Sequence, residues 1–197
     1  MALTIRDIET NPHIDQPRIE DAVREILIAV GEDPDREGLR RTPQRVARMY
    51  AELFAGLHQD PVDVLEAAFS EEYDELVVLR DISFSSLCEH HLMPFEGVVH
   101  IAYLPDGQVV GISKLARIVD IFAKRPQVQE RLTTQICDLI MGKVRAKGAA
   151  VVIKATHTCV TCRGVRKPGS LMVTSVMRGR CLSDARTRSE VMSLLHD

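Results

Sequence analysis

Residues 149–158 read AAVVIKATHT and run directly into CVTCR at 159–163. Apolar residues fill Ala149 to Ile153, and the stretch is rich in β-branched side chains. It is the clearest strand in the chain. Working outward, Leu171–Met177 reads as a partner strand, and Ser183 onward as a short final helix. Upstream, Leu76–Ser86 and Val98–Leu104 read as strands, and Pro105-Asp106-Gly107 marks a turn before the extended segment Gln108–Ile112. Ser113 is placed to cap a helix whose buried face is Leu115, Ile118, Val119 and Phe122. Pro126 interrupts it and opens a longer helix through Val128, Leu132, Ile136, Leu139 and Ile140, with Gly148 as a stop. Two helices precede all of this. One starts at Pro17, with Ile19, Val23, Ile26, Leu27 and Val30 at helical spacing and Gly31 as C-cap. The other starts at Thr42-Pro43, with Val46, Met49, Tyr50, Leu53 and Phe54 as its stripe. Strands come in hairpin-like pairs instead of alternating with helices. The fold class is therefore α+β, an antiparallel sheet with helices packed on one face.

Composition narrows what such a chain does. Its 197 residues are 45% hydrophobic and 27% charged, the balance of a globular protein with a full core. Twenty-five Lys and Arg stand against 28 Asp and Glu, a net charge of −3. No whole-molecule basic field invites nucleic acid, so an anion site must be a local cluster. No apolar stretch approaches the roughly 20 residues of a membrane span, and the first residues lack the apolar core of a signal peptide. Trp is absent and aromatics make up 4%, which excludes an aromatic platform for single strands. Five cysteines, Cys88, Cys137, Cys159, Cys162 and Cys181, without an export signal read as reduced thiols in the cytoplasm. Residues 1–16 read as a flexible arm and 17–70 as a helical region. No glycine-rich nucleotide loop is present, so side chains must hold any phosphates.

The chemistry concentrates in two places. Cys88-Glu89-His90-His91 offers Cys88 and His91 to one metal from a tight turn. His157-Thr158-Cys159-Val160-Thr161-Cys162 offers more, and on a strand His157 and Cys159 would share a face. Thiolates with imidazole suit zinc. Two arrangements compete. Cys88, His91, Cys159 and Cys162 close a structural Cys₃His site, or three of them bind and leave a position for water. The C-x-x-C spacing favours the first. The spare histidines His90 and His157, useful as proton carriers, favour the second. The plainer alternative makes those two histidines ordinary polar residues. Ser113, Lys114 and Arg117 lie at a helix start, Arg163 and Arg166 follow the second half-site, and Arg45 and Arg48 are neighbours on the early helix. Each cation is individually an ordinary solvated charge, and only convergence would make a phosphate cradle. Glu130 reads as an ordinary helix-rim charge, or, if buried beside a ligand, as a carboxylate that accepts two N–H bonds from an amidine edge such as that of guanine.

These residues resemble the GTP cyclohydrolase I family. The resemblance is carried by TPQRVARMY at 42–50, SLCEHHLMPFEG at 86–97, GISKLARIVD at 111–120, RPQVQERLTTQI at 125–136, ATHTCVTCRGVRKPGS at 155–170 and VTS at 173–175. It implies a tunnelling fold, with a four-stranded antiparallel sheet and two helices on one face, over a catalytic domain of residues 71–197. It implies an open catalytic Zn²⁺ on Cys88, His91 and Cys159, with hydrolytic attack at C8 of GTP, formate release and rearrangement to 7,8-dihydroneopterin triphosphate. His157 would pass protons at the ring nitrogens, with His90 near the ribose, and Ser113 would serve the sugar rearrangement. Glu130 with Gln129 would recognise guanine, and Lys114, Arg117, Arg163, Arg45 and Arg48 would hold the triphosphate. Members of the family form homo-oligomeric rings of ten subunits with sites at subunit junctions. Cys162 departs from the family pattern, and strand geometry predicts that it stays off the metal. A zinc-stabilised binding protein of the same fold, or a sister enzyme acting on a related pterin, is the competing class. The joint presence of Ser113, Glu130, His90 and His157 argues against the first, and the set of triphosphate-binding cations against the second.

Overall fold

A computed structural model describes residues 13–65, 68–71 and 73–196 of the chain. The arm expected over 1–16 lies outside the described residues as far as residue 12. The chain divides into two compact units, with the break between His58 and Gln59.

In the first unit, α1 (Gln16–Ala29) is capped by the Asp15 side chain, which accepts from the Arg18 N–H at 3.1 Å, and Pro17 occupies the first turn. Gly31 follows the helix at φ +85°, the left-handed conformation that glycine adopts without a Cβ penalty. α2 spans Thr42–Leu53. Thr42 is its first helical residue, and the Thr42 hydroxyl accepts from Arg45 Nη2 at 2.8 Å. α1 packs on α2, where Val23, Ala47 and Ala51 are buried.

The second unit begins at Gln59, and described residues ahead of the main sheet pack within it. The short helix α3 (Pro61–Val64) packs on α4 (Ile112–Ala123), and Gln59 O accepts from Arg125 Nη2 at 2.7 Å. The three-residue β1 (Ala68–Ser70) pairs antiparallel with β4 (Gln108–Val110) in a small sheet of its own. Four long strands make the main sheet: β2 (Val77–Cys88), β3 (Pro94–Leu104), β6 (Gly148–His157) and β7 (Met172–Gly179), each antiparallel to the next. A fifth strand of two residues, β5 (Pro126–Gln127), adds parallel to the outer edge of β2. Pro126 therefore does not open the long helix. The chain stays extended through Val128, and α5 runs from Gln129 to Lys143. Ser113 likewise falls inside α4, whose N-cap is Gly111.

The main core lies between one sheet face and α4 and α5. Phe95, Val99, Ile101 and Tyr103 of β3 and Ala149, Val151 and Ile153 of β6 meet Leu115, Ile118 and Phe122 of α4 and Leu132, Ile136 and Ile140 of α5. Each Val, Leu, Ile or Phe among them contributes about 1.5–3 kcal/mol by leaving water. The opposite face of the sheet is covered as well. Ala102, Ala150, Val152 and Met177 point the other way and are covered by Cys181 of α7 (Arg180–Ser183) and Val191 and Leu195 of α8 (Ala185–His196). That second cover explains why Ala149 to Ile153 is apolar at every position: both faces of this end of β6 are buried.

Candidate functional site

β2 ends on Cys88, and the chain turns back at once. The Cys88 carbonyl accepts from the N–H of His91 at 3.3 Å and of Leu92 at 2.8 Å, and the Cys88 N–H donates to Met93 O at 2.9 Å. Leu92 takes a φ of +51°, which lets four residues reverse the strand and raise His91 beside Cys88. β3 then leaves antiparallel, and β6 returns alongside it with His157 opposite Phe95. The chain leaves β6 directly into the single-turn helix α6 (Thr158–Thr161), and Thr158 Oγ1 ties that turn to Pro94 O at 2.6 Å. Cys159 is therefore on a helical turn and not on the strand, so the expected shared face with His157 does not exist. The turn brings Cys159 against Cys88 and His91 instead. The three ligand atoms all lie within 4.8 Å of one another. Tetrahedral bonds of about 2.0–2.3 Å place ligand atoms roughly 3.5 Å apart, so this donor set can close on one metal ion. Cys162 caps the end of α6, is exposed, and is outside that group.

Burial first, and then the neighbouring Cys88 thiol, push the Cys159 thiol up, while the charge of Arg163 works in the opposite direction. A dication between the two sulfurs would reverse that balance, because a coordinated thiol is deprotonated. Around the trio stand the two spare histidines. His90 Nδ1 is 3.8 Å from Cys88 Sγ. His157 stacks on Phe95, ring centroids 4.5 Å apart and planes 5° apart. Burial lowers the pKa of His157, and the nearby charge of Glu130 partly opposes this.

Gln129 is placed differently from the expectation of a guanine contact. It is fully buried, its Nε2 donates to Ile153 O at 3.0 Å and Met172 O at 3.1 Å, and its Oε1 meets His157 Nε2 at 2.8 Å. The amide is consumed inside the protein. Glu130, the next residue, is exposed on the first turn of α5. Ser113 and Lys114 sit on the first turn of α4 and Arg117 on the next, and Arg163 follows α6 on an exposed loop. Arg45 and Arg48 are exposed on α2 in the first unit, where Arg45 also donates to Gly38 O at 3.2 Å.

Two features of the site were not foreseen from the sequence. Glu89, inside the metal-ligand turn, is gripped by Nη1 and Nη2 of Arg131, with Nη2 to Oε1 at 3.1 Å, and its N–H donates to Gln127 O at 3.0 Å. This pins the turn to β5 and α5. The Phe95–His157 stack is the other. The residues of both pairs are far apart in sequence, so only the strand register reveals them.

A family model of GTP cyclohydrolase I matches residues 19–196. GTP cyclohydrolase 1 of Rhodopirellula baltica is 61% identical over 94% of this chain and 82% of its own. The Corynebacterium aurimucosum protein of the same name is 58% identical over 96% and 97%, and that of Thermoanaerobacter pseudethanolicus 58% over 93% and 98%. A chain matched over nearly its whole length at such identity, by proteins of one name, belongs to the GTP cyclohydrolase I family.

Proposed function

We propose that this chain is a GTP cyclohydrolase I that opens the imidazole ring of GTP at C8, releases formate and forms 7,8-dihydroneopterin triphosphate, the first step of folate and tetrahydropterin synthesis. The observation that carries the reading is the approach of Cys88, His91 and Cys159 to within 4.8 Å, with His157 on the strand that leads to Cys159. Two thiols and one imidazole suit Zn²⁺ and leave a fourth position open. Zinc held there supplies a water activated for hydrolysis near neutral pH.

The chain's own residues do the rest. His157, held at a fixed angle by Phe95, carries protons to and from the purine ring nitrogens. His90, exposed beside Cys88, serves the ribose side, and Ser113 the later sugar rearrangement. The Glu130 carboxylate accepts from the guanine amidine edge. Lys114, Arg117 and Arg163, with Arg45 and Arg48, hold the triphosphate. That remote binding energy positions C8 for attack. The reading includes a tunnelling fold for the four long strands, with residues 71–197 as the catalytic domain and 17–70 as the helical region. It also includes a homo-oligomeric ring of ten subunits and a cytoplasmic location. No helix among the described residues is long and apolar enough to cross a membrane.

The test is formate release and pterin fluorescence from GTP, with and without a zinc chelator, alongside the native mass in solution. Formate and an oxidisable pterin, both lost on chelation and restored by zinc, are expected. A zinc-loaded assembly that releases no formate refutes the activity.

A further inference from the structure

The amide of Gln129 closes a hydrogen-bond circuit whose proton order can be read without seeing a hydrogen. Gln129 O is a backbone carbonyl and only accepts. Thr133 Oγ1 lies 2.6 Å from it and must donate there. Thr133 Oγ1 is also 2.7 Å from Thr174 Oγ1. Its single proton is committed, so Thr174 donates to it. Thr174 Oγ1, its own proton now spent, lies 3.1 Å from the Gln129 side-chain amide and faces it only as an acceptor, one of three that share the two N–H groups of that amide. The amide atom facing Thr174 is therefore the NH₂ nitrogen.

A second line reaches the same orientation. The same nitrogen faces the carbonyls of Ile153 at 3.0 Å and Met172 at 3.1 Å, and neither carbonyl can donate. A flipped amide would press three acceptors together inside a fully buried site, at a cost of a few kcal/mol. The orientation is thus set by α5, β6 and β7 together. It leaves Oε1, an acceptor, facing His157 Nε2 at 2.8 Å.

We infer that Gln129 is a positioning residue that holds His157 as its Nε2–H tautomer, so that His157 exchanges protons with the substrate through Nδ1. Gln129 itself touches no substrate. Three constraints then act on one imidazole: Oε1 of Gln129 at Nε2, the face of Phe95 at 4.5 Å, and the backbone of β6. Two side-chain torsions cannot satisfy these and also leave the ring free to turn, so the Nδ1 edge is aimed before substrate arrives. The inference rests on the proposed proton-carrying role of His157. The tautomer itself does not depend on that role.

The experiment is solid-state nitrogen NMR of the zinc-loaded full chain with ¹⁵N-labelled histidine, the His157 signals being assigned by subtraction of a His157→Asn spectrum. The expected result is a protonated Nε2 and a bare Nδ1 at His157. A protonated Nδ1 with bare Nε2 overturns the inference on the unmutated protein, whatever any variant does. Gln129→Met, similar in size and without polar atoms, is expected to lower kcat for GTP at least about tenfold with KM changed less than about twofold. A raised KM with unchanged kcat would mean that Gln129 binds guanine, and would equally overturn it. A chain with the Nε2–H tautomer that never turns over GTP refutes the proposed activity and supports the circuit.

Discussion

Cys159 and Cys162 are three residues apart and chemically identical, and the fold treats them differently. Cys159 sits on the inner side of the α6 turn with Cys88 and His91, and Cys162 ends that turn in solvent. Cys159→Ser is therefore expected to lose the metal, while Cys162→Ala keeps close to one zinc per chain and its GTP turnover. Metal content by elemental analysis after gel filtration checks both. Loss of zinc from the Cys162 variant would revive the closed four-ligand site. Strand geometry alone also separates Cys162 from the metal, but by placing Cys159 on the strand. The strand in fact stops at His157, because Thr158 is drawn to Pro94 O and starts a helical turn. Propensity does not show that switch, since Thr and Cys suit a strand as well.

At the scale of elements, the site depends on how closely β3 approaches β6. Gly97 lies opposite Ala155, two residues from the Phe95–His157 pair. A Cβ at Gly97 would fall 1.9 Å from the Lys154 carbonyl oxygen, a backbone atom that cannot move aside without breaking the ladder. Gly97→Ala is expected to destabilise by about 3 kcal/mol or more, the range of strained and overpacked sites. Urea unfolding measures it, and a loss below about 1 kcal/mol would show that the two strands separate easily. The long helices and the four long strands were legible as elements, because their apolar periodicity is strong. β5 was not: two residues carry no period, and its pairing with Leu87 and Cys88 comes from the chain's path. β1, with three residues, is nearly as short.

For the whole molecule, burial sets a pH limit. His100 lies 3% exposed on β3, with Nδ1 accepting from the Asp81 N–H at 3.2 Å where β2 bulges. Burial lowers its pKa. Lys154 and Arg80 push it the same way, and the Asp81 carboxylate opposes them. The unfolded chain therefore binds the proton more readily than the folded one. Stability from this group is present above the unfolded pKa of about 6.5 and is lost as pH falls towards the folded value, by about 1.4 kcal/mol per unit of depression. Urea unfolding at fixed protein concentration between about pH 7.5 and 5.5 should show a smaller loss in His100→Gln than in the unmutated chain. Equal losses in the two would assign the acid sensitivity elsewhere.

Local sequence determined the parts that depend on neighbours along the chain. Helical stripes, the Cys88-to-His91 turn and the apolar Ala149–Ile153 run follow from periodicity and spacing, and the shared motifs point to the family. Tertiary structure alone decided how Cys159 is presented to the trio, which carboxylate clamps the ligand turn, and what Gln129 does. Each of those is set by a pairing across tens of residues, Thr158 with Pro94, Glu89 with Arg131 and Gln129 with His157. Side-chain hydrogen bonds reach about 3 Å, so their partners are chosen by strand register and helix packing, which no local pattern encodes.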